Sequence, residues 1–515
     1  MAKKIELTSE NLIDGDEYRD DIFSFIVDWE TRTAQVSIND VSVYHVEIPS
    51  EIIIDGTFFK VTSFVGCDFD YIDCIEEVVL PSTIISIGDK AFRECTHLKR
   101  IVIPEGLYDI GKRAFSGCYN LTSVVIPKSV KVIDDWAFDG CARLADIQFW
   151  GDDIKIGHNA FAGTRWYFER LGKDESDSLL ENGIYYIGNI AYKSTRLCGK
   201  HIRLKEGTRS ISADAFRDCD LTSIYIPDSV KNIAPYAFVN CQKLKVAYNQ
   251  SIFAYLNPQT KGEYRLPEGI EIVAGVAFSG CKELTSVILP ESLKIIEEAA
   301  FMGCSKLTSI IVPNSVKSIG KWAFSRSREI ESVALPKDIT KIEDYLFFGC
   351  WSLDFVVIPD GVISIGNSSF GECTGLTSVT LPQSVTSIGE SAFNGCQDLR
   401  SIVIPDCVKS IGSGAFENCE KLESVVIPGS VKHIESKTFS SCKNLVSVII
   451  HDGVEEIAND AFENCAKLEK VIIPNSVKSI GLGAFSGCDS LKNLVLPNGA
   501  PGFFRGSPHS PCMTA

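Results

Sequence analysis

Much that would mark a membrane protein, a nucleic-acid binder or an enzyme is missing from this chain. No stretch reaches the roughly 18 consecutive apolar residues of a membrane-spanning helix, so no membrane insertion is expected. Positive charge is in deficit. A net charge of −17 and a pI near 5.0 exclude an electrostatic grip on nucleic acid or on an anionic bilayer. Histidine is scarce, and His45, His97, His158, His201, His433, His451 and His509 are scattered without H-x-x-x-H or other metal spacing. There is no C-x-x-C pair, which leaves zinc and thioredoxin-like chemistry unsupported. No G-x-G-x-x-G runs from a strand into a long helix, so a dinucleotide site has no carrier. Neither catalytic residues nor a cofactor nor a metal is expected. The opening MAKKIELTSENLIDGDEYRDD has two lysines with no apolar segment behind them, so no signal peptide is visible. The chain is expected to be cytoplasmic if Met1 is the true start.

What is present is a repeat. The run LTSVVIPKSVKVIDDWAFDGC (121–141) returns throughout the chain, and 16 phenylalanines from Phe92 to Phe485 occupy the position of Phe138. Of the 15 intervals between them, 12 are 23 residues long. A fixed period of that size marks a solenoid of stacked units, within the leucine-rich-repeat range. Such an array lengthens without one growing core, because each unit touches only its neighbours.

The physics of one coil can be followed residue by residue. In the run 123–126 the alternation is that of a short strand, with Val124 and Ile126 turned inward. Pro127 cannot donate a ladder hydrogen bond and ends the strand. Val130 and Ile133 lead the chain across the stack. Ala137, Phe138, Cys141 and Leu144 then follow at offsets that suit one tight helical turn. Leu121, Val124, Ile126, Val130, Ile133, Ala137, Phe138 and Cys141 are the predicted core of this coil.

Nineteen cysteines suggest a disulfide framework until their positions are read. Fourteen of them stand three residues after a repeat phenylalanine, a slot that Thr164 and Ser327 also fill. A recurring slot shared with threonine and serine asks for a small side chain, so reduced structural thiols are expected. Serines in the SV pairs recur with the period and read as turn and ladder residues, not as nucleophiles.

Five segments are expected. Residues 1–60 fall outside the period; FSFIVD (23–28) with TAQVSI (33–38), and VEIP with EIIIDGTFFKV, read as an N-terminal cap of β-hairpins. The acidic group Asp14, Asp16, Glu17, Asp20 and Asp21 lacks EF-hand spacing and reads as a solvated loop. Residues 61–163 hold the first repeats. Residues 164–262 are irregular coils with inserted hairpins, the first rich in aromatics from Trp166, Tyr167 and Phe168 onward. Residues 263–497 keep the 23-residue period, and 498–515 form a Gly- and Pro-rich flexible tail.

Taken together, IPxSVxxIGxxAFxxCxxLxxVxIP, seen as VPNSVKSIGKWAF (312–324) and CQDLRSIVIP (396–405), closely resembles the BspA-like, or Treponema pallidum type, leucine-rich repeat over residues 61–497. The resemblance implies a right-handed leucine-rich-repeat solenoid. Its parallel β ladder would line the concave face, with short helical or 3-10 turns on the convex face. It also implies a surface or secreted protein, adhesin-like, that engages host or matrix proteins.

The candidate binding residues come from the outward strand column, which should be polar if nothing touches it. Here Ile288, Ile311, Val357, Val403, Val426, Ile449 and Ile472 are apolar and Thr380 is β-branched. Strand propensity alone favours such residues. Yet over the 17 rungs of the whole chain the column makes a stripe on the order of 80 Å long, more than soluble monomers usually expose. Beside it runs a mostly serine column, broken by Phe355. Trp351, Asp354 and Arg400 also break the local pattern, and such departures are where specificity can be written. Protein binding without catalysis is therefore the expected function. Its alternatives are an intracellular scaffold, or carbohydrate binding through Trp166, Tyr167 and Phe168.

Overall fold

The computed structural model describes residues 5–39, 43–67, 75–171, 180–195, 198–491 and 493–495. The expected tail, 498–515, lies outside them. The chain divides into two compact units, residues 1–245 and 246–515. Each is a leucine-rich-repeat solenoid of parallel strand ladders, with almost no helix among the described residues.

In the first unit, Phe23–Asp28 and Thr33–Ile38 pair antiparallel, Phe23 facing Ile38 and Asp28 facing Thr33. Glu51–Ile54 folds back on Thr57–Cys67. These hairpins are continuous with the array, since Thr57–Cys67 lies parallel to Ser86–Ile87. His45–Glu47 is the first rung of the other ladder, parallel to Glu77–Val79 and through it to Arg100–Val102. The acidic group is a hairpin rather than a loose loop: Leu12–Asp14 pairs with Glu17–Arg19. The carboxylate of Asp20 accepts from the backbone N–H of Ile22 at 2.8 Å and of Phe23 at 2.6 Å.

Each coil is tied to the next along three sides. On the first, strands such as Ser123–Ile126 and Asp146–Phe149 pair in register. On the second, two-residue strands such as Val132–Ile133 and Lys155–Ile156 do the same. On the third, the N–H groups of Arg113, Phe115 and Gly117 donate to the carbonyls of Asp135, Ala137 and Asp139 at 2.7–2.9 Å. This third side is not helical. Residues two before and two after each phenylalanine have positive φ (55° at Trp136, 73° at Gly140), and a left-handed residue cannot carry a right-handed helix onward. Successive turns replace it, as Cys118 N–H donates to Phe115 O at 3.1 Å and Leu121 N–H to Cys118 O at 3.2 Å. Among the described residues the one α-helix is Arg165–Leu171, in the first insert.

All eight predicted core residues of the coil 121–141 are buried. The phenylalanine rings form near-parallel stacks. In the first unit Phe64, Phe92, Phe115, Phe138 and Phe161 lie 4.4–5.5 Å apart, centroid to centroid. In the second, eleven rings from Phe253 to Phe485 follow at 4.7–5.6 Å. These spacings suit aromatic pairs, each worth about 0.5–1.5 kcal/mol beyond its buried area. Phe64 and Phe253 join the stacks from outside the A-F motif. They sit on the long cap strand and on the hairpin Val246–Tyr248 with Ile252–Leu256.

Candidate functional site

The outward strand face of the second unit is built by pleat alternation. In Phe355–Val357, Val356 is buried while Phe355 and Val357 are 51% and 67% exposed. The same alternation exposes Ile311 and Val403 by about three quarters, and Val426, Ile449 and Ile472 by about half. Ala334 and Thr380 are exposed and Ile288 is half-buried. Strand register aligns the column: Ile311 faces Ala334, Val357 faces Thr380, and Val426 faces Ile449, which faces Ile472. The result is a row of apolar side chains beside the serine column of Ser309, Ser332, Ser378, Ser401, Ser424 and Ser447. Phe355 stands in that serine column, opposite Ser378. In the first unit the equivalent column turns polar at Gln148 and Arg203, and Arg203 lies over the ring of exposed Tyr225 at 3.8 Å.

The departures from the repeat are held by the coils next to them. Trp351 is half-exposed with the Arg328 guanidinium over its ring at 4.2 Å. Asp354 is exposed; its Oδ1 accepts from the Thr377 hydroxyl at 2.7 Å and its carbonyl from Thr377 N–H at 2.9 Å. Arg400 lines a shallow depression of about 580 Å³ with Lys421, Glu423, Ser424 and Lys467.

The aromatic insert of the first unit is arranged differently. Thr164, in the cysteine slot, caps the helix Arg165–Leu171 by accepting from Tyr167 N–H at 3.0 Å. Trp166 is buried against Phe161 (5.4 Å) and Tyr192 (5.9 Å), where it ends the ring stack. Tyr167 is half-buried, and burial and then the nearby Asp214 carboxylate raise its phenol pKa. Phe168 is exposed. The three therefore share no single face. Trp166 is also the floor of a cleft of about 550 Å³ walled by Trp150, Asp152, Arg170, Tyr186 and Asn189.

One polar cluster has no counterpart in sequence reasoning. Asp214, buried at a left-handed position, bonds His158 Nδ1 and accepts from Arg217 at 2.8 Å. His158 Nε2 is bonded in turn by the Asn159 amide at 2.9 Å. Both imidazole nitrogens are thus engaged, and the pair ties the coil before the insert to the coil after it. The two stand 56 positions apart, so no local spacing could have signalled it.

The family model described as the BspA type leucine rich repeat region, in six copies, matches residues 62–172, 168–260, 249–377 and 363–492. The chain belongs to this family. BspA-type arrays are generally non-enzymatic scaffolds, and repeat arrays of this kind present extended surfaces to partners. Similar solved structures include a leucine-rich repeat protein from Bacteroides ovatus, 22% identical over 92% of this chain and 93% of that one (TM-score 0.35). A leucine rich cell surface protein from Faecalibacterium prausnitzii is 22% identical over 93% and 94% (TM-score 0.31). The leucine rich repeat protein of T. pallidum is 25% identical over 48% and 89% (TM-score 0.24). No curated protein matches the chain. Among the described residues of this BspA-type chain, no helix is long and apolar enough to cross a membrane, and no group of three or more His, Cys, Asp or Glu is placed to hold a metal ion.

Proposed function

We propose that the outward strand face of the second unit is the docking surface of a protein partner, and that the chain is an adhesin-like surface or secreted protein engaging a host or matrix protein. The observation that carries the reading is the row Ile311, Val357, Val403, Val426, Ile449 and Ile472, exposed where a solvent-facing strand position is ordinarily polar. Fully covering one such side chain contributes roughly 1.5–3 kcal/mol, so six that are already part-covered supply on the order of 5–9 kcal/mol. Association costs about 4–15 kcal/mol, so the row alone gives modest affinity. Specificity then falls to the residues that interrupt the repeat, Trp351, Asp354, Phe355 and Arg400. The acidic net charge favours a partner that is neutral or basic where it docks.

The test is binding of the full chain to a panel of extracellular-matrix proteins, against Val403→Glu with Val426→Glu. The double variant should lose at least about tenfold in affinity, because each carboxylate would be desolvated on docking. Its far-UV spectrum should not change. Unchanged affinity removes the row from the account.

A second reading, an intracellular scaffold using the same face, is favoured by the reduced cysteine column, since thiols persist unpaired in reducing compartments. A precursor longer than this chain at its N-terminus, with an apolar leader, would count against it.

A further inference from the structure

The coil after Phe161 does not close as the coils before it do. Asp146–Phe149 pairs with Ser123–Ile126 behind it, but 23 residues further on, at Glu169, the chain is inside the helix Arg165–Leu171. It returns as the hairpin Ile184–Ile187 with Ile190–Ser194. Between the end of that strand and the hairpin turn lies the cleft of about 550 Å³, a volume typical of small-molecule sites, roughly 300–1,000 Å³. Its two sides are joined where the Asn189 amide donates to the Asp152 carboxylate at 2.7 Å.

Trp150 lines the cleft from the place that Pro104 and Pro127 hold in the two coils before. Its N–H keeps the ladder bond to Ile126 O at 3.0 Å, while the residue is 60% exposed. The buried side chains of the cleft are fixed by contacts of their own. The Arg170 guanidinium lies over the Trp166 ring at 5.5 Å and donates to the Tyr185 hydroxyl at 3.3 Å. The Lys205 ammonium lies over the Tyr186 ring at 4.2 Å and donates to Gly188 O at 2.8 Å, which anchors the hairpin turn. Walls held in this way lose little freedom when a ligand enters.

We propose that this cleft binds a neutral carbohydrate, with Trp150 as the stacking face and the Asp152–Asn189 pair bonding adjacent hydroxyls. The site is separate from the apolar row of the second unit and does not rest on it. An aromatic face is electron-rich and attracts the C–H groups on the flat side of a sugar ring, whose hydroxyls lie around its edge. A carboxylate only accepts, and Asn189 fills one of its positions. A ligand seated beside Asp152 must therefore bring donors or leave that charge desolvated. Adjacent hydroxyls bring two. A proline-rich segment would suit the aromatic walls, but proline has no N–H to offer. A phosphate or a sugar acid would meet Asp152 as a like charge, and of the two cations at the cleft Arg170 is already turned to Trp166 and Tyr185. Of the three aromatic residues singled out in the sequence, only Trp166 reaches the cleft, as its floor.

The test is a glycan array probed with the full chain, followed by calorimetric titration with the neutral oligosaccharide it retains best. Trp150→Ala should weaken that binding by at least about tenfold. Asp152→Asn keeps the side-chain shape and should weaken it about fivefold, as a charged acceptor becomes a neutral one. Phe168→Ala, outside the cleft, should bind as wild type does. All three side chains are exposed, so far-UV spectra should not change. Binding should hold as salt is raised, because the ligand carries no charge. Val403→Glu with Val426→Glu should also leave it unchanged, and a loss there would move the site to the row. The proposal is overturned if no neutral glycan is retained, if acidic glycans alone are retained, if decaproline is bound in place of glycans, or if Trp150→Ala binds like wild type.

Discussion

The thiol of Cys396 donates a hydrogen bond to the carbonyl oxygen of Phe370, 3.2 Å away in the coil before. That carbonyl also accepts from Cys373 N–H at 3.1 Å within its own turn. Ser327, where the slot holds no cysteine, makes the same bond to Phe301 at 2.9 Å. The slot therefore selects a small hydrogen-bond donor, and smallness alone is not enough. Cys396→Ser should keep the bond and stay within about 1 kcal/mol of wild type. Cys396→Val should cost more, roughly 1–3 kcal/mol, because it removes the donor and forces a second methyl into a close-packed rung. Urea denaturation of both variants decides it, and equal losses would make the slot purely steric.

Burial of these thiols makes stability depend on alkaline pH. Cys281, Cys350 and Cys442 are each pushed up to about 12, desolvation being the first cause. An unfolded cysteine releases its proton near pH 8.5, so above that the unfolded chain binds fewer protons than the folded one and stability falls as pH rises. The contribution is intact below about pH 8.5 and is lost progressively toward pH 12. The urea midpoint should drop between about pH 8 and 10.5, and Cys350→Ser with Cys442→Ser should flatten that drop by up to about 1.4 kcal/mol per pH unit per thiol. An unaltered slope in the double variant would assign the drop to lysine and tyrosine.

The period, the inward residues of each coil and the exposed apolar column were legible in the sequence because each rests on strong repetition. Phe138 and its seven partners are core for the reason that made them recognisable, a ring and its supports every 23 residues. The second ladder was not legible, since strands of two residues such as Ser364–Ile365 are too short for alternation to show. The left-handed corners had a signal, the glycines at Gly117, Gly140, Gly280 and Gly303, but Glu94 and Glu372 at the same place diluted it. Trp166 stood out in sequence as an exposed platform would, and only packing against Phe161 and Tyr192 shows it as the end of a stack. Asp354 and Phe355 were found as departures from the repeat, but that Thr377 fastens Asp354 depends on contact between coils.

Val276 tests the corner geometry. It lies two residues before Phe278 with φ 58°, a conformation that β-branched side chains tolerate poorly. A non-glycine residue there costs roughly 1–2 kcal/mol, most when branched at Cβ. Val276→Asn should raise stability by about 1 kcal/mol while its N–H still reaches Glu298 O. Gly414→Val, at the same corner with φ 61°, should lower it, since the new Cβ would also meet Glu417 Oε2 at 3.3 Å. Opposite signs in denaturant midpoints are expected. Two losses would mean that the Val276 side chain contributes more than its backbone costs.

Phe355 separates the apolar row from the residues that interrupt the repeat. It stands in a column that reads Ser309, Ser332, Ser378 and Ser401 in neighbouring coils, so Phe355→Ser returns the position to its own pattern. Half of the ring is already in solvent, and surface changes of this kind usually move stability by no more than about 0.5 kcal/mol. If the ring anchors a partner, its loss should cost at least about 2 kcal/mol of binding, roughly thirtyfold in Kd. Val403→Glu with Val426→Glu would weaken binding whichever residues specify the partner, because it places charge in the row itself. A Phe355→Ser variant that binds like wild type while the double variant fails would therefore assign binding to the row and leave the serine column as spacing. A variant weakened thirtyfold with its denaturant midpoint unmoved would locate recognition at the coil where the repeat is broken.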